Sequence, residues 1–183
     1  AMRYEVGRSL FEKLQADAKC TASISAMQSV LPSYTKFGMA ALLPHNTIEV
    51  LPDSRTLADG KPTDDIKQRE AVLQAANPDS RCVKYDDIKS MNVSALRDVF
   101  TGQNVVYVYH DQIDARGDHA STENEVFNAC EEAVEEIYFL VRKLTSSANT
   151  IHYIITADHG FIYKRDKLSE SDKISGIPDA DRR

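Results

Sequence analysis

The chain has 183 residues, 42% of them hydrophobic, with a formal net charge of −6 and a pI near 5.4. That length and composition fit one globular domain with a substantial core. The acidic balance excludes broad, unspecific attraction to nucleic acid, although a local basic cleft is compatible with it.

Cys20, Cys82 and Cys130 are an odd set at wide spacing with no CxxC, which reads as buried thiols in a reducing compartment and not as a disulfide framework. No apolar run approaches the roughly 18 residues of a membrane span, and no signal-peptide pattern is visible. The expectation is a cytoplasmic protein without a membrane span. Ala1-Met2 resembles a cloning remnant, and residues 164–183 are polar and end on Arg182-Arg183. The chain therefore reads as a piece of something longer, with 164–183 a flexible tail.

Along the chain, Val6, Leu10, Phe11 and Leu14 stand at helical spacing within residues 3–18. Residues 20–28 alternate small and β-branched side chains, as a weakly patterned strand. Pro32-Ser33 then breaks the chain, and Thr35 is placed to cap a short helix that ends before Pro44. A hydroxyl among free backbone N–H groups suits a phosphate; taken alone, a plain helix cap is the stronger explanation. Residues 47–51 and 56–61 predict a hairpin turning at Asp53-Ser54. A charged amphipathic helix follows over 64–76, then a brief strand at 81–85 and short helices at 86–91 and 93–100.

Asn104 to His110 (NVVYVYH) is almost wholly apolar and β-favouring, which predicts a central, parallel strand. It runs into a loop that concentrates Asp111, Asp114 and Asp118 with His110 and His119. Asp114 and Asp118 are four apart, so one helical turn points both the same way; a solvated acidic loop is the bland alternative. Thr122 and Glu125 form a capping box. The helix after it carries Val126, Cys130, Ala133, Val134, Ile137, Val141 and Leu144 on one stripe, with Glu131, Glu132, Glu135 and Glu136 on the solvated face.

Residues 151–157 (IHYIITA) read as a second buried strand ending in Asp158-His159-Gly160. A carboxylate beside an imidazole suits a divalent metal, and Gly160 allows a sharp turn or close approach. The alternative is a capping Asp with a surface His. Strand 104–110, its helix and strand 151–157 predict a right-handed β-α-β unit. Both polar clusters then emerge at one edge of the sheet, where open α/β folds bind ligands.

The segments MRYEVG, LPSYTKFGMAALLP, YVYHDQIDARGD and ITADHGFIYKR, in that order, resemble the PglZ domain of bacteriophage-exclusion (BREX) and phage-growth-limitation defence systems, a branch of the alkaline phosphatase superfamily. Residues 47–100 contribute little to the likeness. The resemblance implies an α/β, alkaline-phosphatase-like three-layer fold with a mainly parallel central sheet, truncated at both ends. It also implies a phosphoesterase with two divalent metals (Zn2+ or Mn2+, or Mg2+) and a phosphothreonine intermediate. Carried over residue by residue, Thr35 matches the nucleophile, Asp158 and His159 ligands of the metal that activates it, and Asp114 and Asp118 ligands of the second. Asp118 stands where many superfamily members have His, which hardens that site; His119 is a fallback ligand, and His110 and Asp111 are outer partners. The family also implies an Asp directly before residue 1 and a later His that residues 160–183 do not supply, so this piece alone is expected to be inactive. The implied substrate is a phosphate ester, a nucleotide or nucleic acid among the options, and the implied partners are other defence proteins. A non-catalytic scaffold that keeps the fold is the competing reading.

Overall fold

The computed structural model describes residues 1–117 and 125–161. In chain order the elements are α1 (Tyr4–Gln15), α2 (Thr35–Ala41), β1 (Ile48–Val50), β2 (Thr56–Ala58), β3 (Lys61–Pro62), α3 (Ile66–Ala76), β4 (Ser80–Lys84), α4 (Tyr85–Ile88), α5 (Val93–Phe100), β5 (Val105–Tyr109), α6 (Gln112–Gly117) and α7 (Val126–Ser147). Local chemistry explains several boundaries. The Asp65 carboxylate accepts the Gln68 N–H at 2.8 Å to start α3, and Asn92 accepts from Ala95 at 3.0 Å to start α5. Each such cap is worth about 1 kcal/mol.

The predicted hairpin forms: β1 pairs antiparallel with β2, Ile48 opposite Ala58. Asp59 and Gly60 both take positive φ, 47° and 75°, the tight two-residue turn that this dipeptide favours, and β3 adds a third strand.

Strands β4 and β5 pair in parallel from Ser80 opposite Val105 to Lys84 opposite Tyr109. The period of two sorts their side chains into two cores. Cys82, Tyr107 and Tyr109 join Leu43, Ala58, Val72 and Leu73 beneath α3. Val83, Val106 and Val108 join Ile88, Leu96, Phe100 and Leu144 beneath α4, α5 and α7. Helices thus cover both faces of the ladder, and the α/β/α layering and mixed class expected from the sequence hold. A third cluster, Ile113, Val126, Cys130 and Ala133 with Met2 and Val6, seats α1 and α6 against the first half of α7. Fully burying a side chain such as Leu96 stabilises by roughly 2 kcal/mol.

Three expectations change. Residues 151–157 form no strand and pair with no described strand; Ile151 and Ile155 are exposed and Ile154 is 94% exposed. The β-branched composition favours the extended backbone, but a strand exists only through a ladder partner. What holds this segment is Tyr153, which packs beside Leu144 and donates its hydroxyl to the Val141 carbonyl at 3.1 Å. The predicted β-α-β unit is therefore β5, α7 and an unpaired return. Residues 20–28 likewise form no strand. Finally, β5 is half-buried and bonded on one side only among the described residues, so it is not a central strand. Asp118, His119, Thr122 and the tail 164–183 lie outside the described residues. Among the described residues no helix is long and apolar enough to cross a membrane.

Candidate functional site

Four of the five residues singled out from the sequence meet in space. Asp114 sits in α6, directly after β5, and Asp158 and His159 end the unpaired return. Their ligand atoms lie within 4.8 Å of one another: His159 Nε2 is 3.3 Å from Asp158 Oδ2 and 3.9 Å from Asp114 Oδ1. The Thr35 hydroxyl is 3.2 Å from the same Nε2. The convergence argued from a paired strand is thus reached without one, because α7 carries the chain back to the same end of β5.

Thr35 is not the helix cap. Tyr34 occupies that position in an extended conformation with no capping side chain, and Thr35 is the first helical residue of α2. Its hydroxyl is consequently free to face His159. His159 is oriented by its own neighbour: Nδ1 lies 2.9 Å from the Gly160 carbonyl. A carbonyl only accepts, so Nδ1 carries a proton and Nε2 is the ring nitrogen that faces the cluster. The Met2 N–H donates to the His159 carbonyl at 3.0 Å and holds this loop against α1. Gly160 is not sterically required, since a methyl there would meet Arg3 Cγ at an ordinary 3.8 Å. His110 does not support the cluster either; it pairs with Glu136 at 2.7 Å and packs on Tyr85, which takes Glu136 off the purely solvated face expected for it.

Electrostatically the cluster calls for a cation. Asp158 is 5% exposed, and its buried Oδ2 has no hydrogen-bond partner. A buried carboxylate oxygen without a donor costs several kcal/mol unless a positive charge compensates it. Neighbouring ligands of a tetrahedral ion bonded at about 2.0–2.2 Å stand about 3.3–3.6 Å apart. The separations of 3.2, 3.3 and 3.9 Å around His159 Nε2 bracket that value. Carboxylate oxygens with one imidazole nitrogen fit a borderline or hard divalent ion.

The family model described as the BREX system PglZ alkaline phosphatase-like domain matches residues 1–181. The chain belongs to the PglZ family. It is 44% identical over 174 residues to the "Alkaline phosphatase-like protein PglZ" of Bacillus cereus (strain H3081.97), covering 95% of this chain and 20% of that protein. It is 38% identical over 175 residues to the "Alkaline phosphatase-like protein BrxZ" of Escherichia coli O9:H4 (strain HS), covering 94% and 20%. The PglZ chain described here thus spans about a fifth of the length of these curated relatives. No solved structure matches it significantly.

One residue of this PglZ site escaped the sequence reading. Gly38 packs α2 directly on Asp158: a methyl at Gly38 would lie 2.4 Å from the Asp158 carbonyl oxygen and 2.9 Å from its Cβ. The signal was present, since a glycine inside a helix costs about 1 kcal/mol against alanine and calls for a packing reason.

Proposed function

We propose that the protein to which this PglZ domain belongs hydrolyses phosphate esters, with Thr35 as nucleophile and Asp114, Asp158 and His159 holding a divalent cation, Zn2+ or Mn2+ foremost and Mg2+ as the harder option. Asp114, which the resemblance gives to the second cation, is moved to this one because its carboxylate stands with Asp158 and His159; Asp118, outside the described residues, is left to the second cation. The observation that carries this reading is the Thr35 hydroxyl at 3.2 Å from His159 Nε2, inside a cluster with an uncompensated buried carboxylate oxygen. A metal-ligand cluster alone could serve structure; a cluster with an exposed alcohol at its rim suits phosphoryl transfer.

A bound divalent cation supplies Lewis acidity, making a nearby hydroxyl more acidic and offsetting charge on phosphoryl oxygens. The chain's own residues do the rest. Thr35 Oγ1 is solvent-facing and within reach of an ester phosphorus in line with its leaving oxygen. The Oγ1–P bond forms as the ester P–O bond breaks, the hydroxyl proton passing to solvent and the leaving oxygen departing as the alcohol or phenolate; water then cleaves the threonine phosphate, releasing phosphate and restoring the hydroxyl. The buried Asp158 and His159, oriented by the Gly160 carbonyl and tied at its own carbonyl by the Met2 N–H, keep the cluster's donors fixed while this happens. The acidic net charge favours a small phosphate monoester or a nucleotide over a long polyanion. Other BREX defence proteins are the proposed partners of the whole protein.

The test is turnover of nitrophenyl phosphate by the full-length protein with Mn2+ or Zn2+. Thr35→Ala and Asp158→Ala should each abolish it; full activity in both variants overturns the assignment. A scaffold that merely keeps the fold gives no turnover and no saturable cation binding in calorimetry.

A further inference from the structure

Helix α2 brings the Thr35 hydroxyl to His159, yet it touches that loop through a residue with no side chain. Thr35 and Gly38 are three apart, hence neighbours on one helix face. Gly38 is buried against the Asp158 backbone, while Thr35 faces His159, the next residue along. At its other end α2 is tied to the sheet, where the Tyr107 hydroxyl of β5 donates to the Leu42 carbonyl at 3.0 Å. Sequence motifs draw attention to the threonine; the contact that sets its distance lies one turn away.

We propose that α2 is a clamp that positions the nucleophile, with Gly38 setting how closely Thr35 approaches His159 and Tyr107 holding the far end of the helix. The proposal rests on the phosphoesterase reading for its kinetic consequences, but not for its geometry. Ordinary van der Waals contact of a Cβ begins at 3.4 Å, against the 2.4 Å that a methyl on Gly38 would have. The partner atom is backbone, in a loop held by the Met2 N–H on the His159 carbonyl, so α2 is the element that retreats, by about 1 Å, a displacement worth about 100-fold in rate at a reacting centre. Asp114, Asp158 and His159 lie outside α2, so the cation-holding donors keep their arrangement. Gly38 and Tyr107 touch neither substrate nor cation; they are positioning residues.

The experiment uses the full-length protein with Mn2+ and nitrophenyl phosphate. Gly38→Ala should lower kcat about 100-fold, with KM and the calorimetric Mn2+ affinity within threefold of the parent. Tyr107→Phe removes one hydrogen bond and no volume, and should lower kcat about fivefold with the same two constants unchanged. In the cation-free protein, the His159 Nε2 nitrogen resonance of Gly38→Ala should shift to the value seen in Thr35→Ala. If Gly38→Ala does not fold, Tyr107→Phe carries both readouts. The clamp is overturned if kcat stays within twofold of the parent in the folded variants, or if Mn2+ affinity falls in step with kcat. A parent protein without turnover defeats the phosphoesterase reading alone; the imidazole resonance then decides the clamp, and an unmoved resonance overturns it.

Discussion

Thr35 Oγ1 and His159 Nε2 lie 3.2 Å apart across 124 residues of chain. Neither residue is remarkable locally: one is the first residue of a seven-residue helix and the other ends an unpaired segment. Their proximity is tertiary, fixed by Gly38 against Asp158 and by the Met2 N–H on the His159 carbonyl.

That contact predicts a simple pair of outcomes at position 35. Thr35→Ser keeps the hydroxyl and should hold nitrophenyl phosphate turnover within about tenfold, whereas the isosteric Thr35→Val should lose it by at least about 1000-fold. Because Thr35 is exposed, both variants should melt within about 0.5 kcal/mol of the parent. Steady-state kinetics beside urea titration checks this, and comparable rates for Ser and Val count against a nucleophilic role.

Asp158 predicts a trade between stability and binding. Its Oδ2 is buried without a donor, so saturation with Mn2+ or Zn2+ at about 100 times the dissociation constant should stabilise by about 2.7 kcal/mol. For a chain of this size that is a rise in Tm of about 5–10 °C, reversed by a chelator. Asp158→Asn should erase the rise while leaving the cation-free protein no less stable, since a neutral amide replaces a buried charge. A cation-induced shift that survives in Asp158→Asn places the ion elsewhere.

How much of this was legible from residues alone follows the physics of each signal. Amphipathic periodicity is local, so α1, α3, α5 and α7 could be read with boundaries a few residues off. Leu10 and Leu14 are buried as their spacing demanded, whereas the turn at Asp59-Gly60 divides what reads from sequence as one segment, 56–61. Strand pairing is not local. Residues 104–110 and 151–157 carry similar apolar, β-branched composition, yet the first found β4 as a partner and the second found none among the described residues. The grouping of Asp114, Asp158 and His159 was legible because each follows an apolar segment, and α7 brings the two segments to one place. Gly38 was not, because the absence of a side chain announces a close contact without naming what it touches.

The core beneath α5 and α7 predicts a sharp contrast between two neighbours on one helix. Leu96 is fully buried with Ile88, Phe100 and Leu144, while Val93, one turn earlier, is 46% exposed. Leu96→Ala should cost about 2–5 kcal/mol through lost burial and the cavity left behind; Val93→Ala should stay within about 0.5 kcal/mol. Urea unfolding monitored by circular dichroism decides it. Equal costs would mean that α5 does not seat on α7 through this face.

The opposite face of the β4–β5 ladder predicts loss of stability in alkali. Burial is the main cause that pushes the Cys82 thiol up from 9.0 to about 11, and it raises the phenols of Tyr107 and Tyr109 in the same cluster. A raised folded-state pKa means that the native protein keeps a proton which the unfolded chain gives up. Between pH 9 and about 11, then, the unfolded state binds fewer protons and stability falls as pH rises. Each group contributes at most about 1.4 kcal/mol per pH unit, the thiol first and the tyrosines from about pH 10. Below pH 8 these groups are protonated in both states and add no slope. Denaturation at half-unit steps from pH 7.5 to 10.5 should show a plateau and then a decline, and Cys82→Ala should make the decline between pH 9 and 10 shallower, leaving the part due to the Cys130 thiol, which burial also raises. An identical slope over that interval in the variant would show that the Cys82 thiol is not held neutral by its burial beside Tyr109.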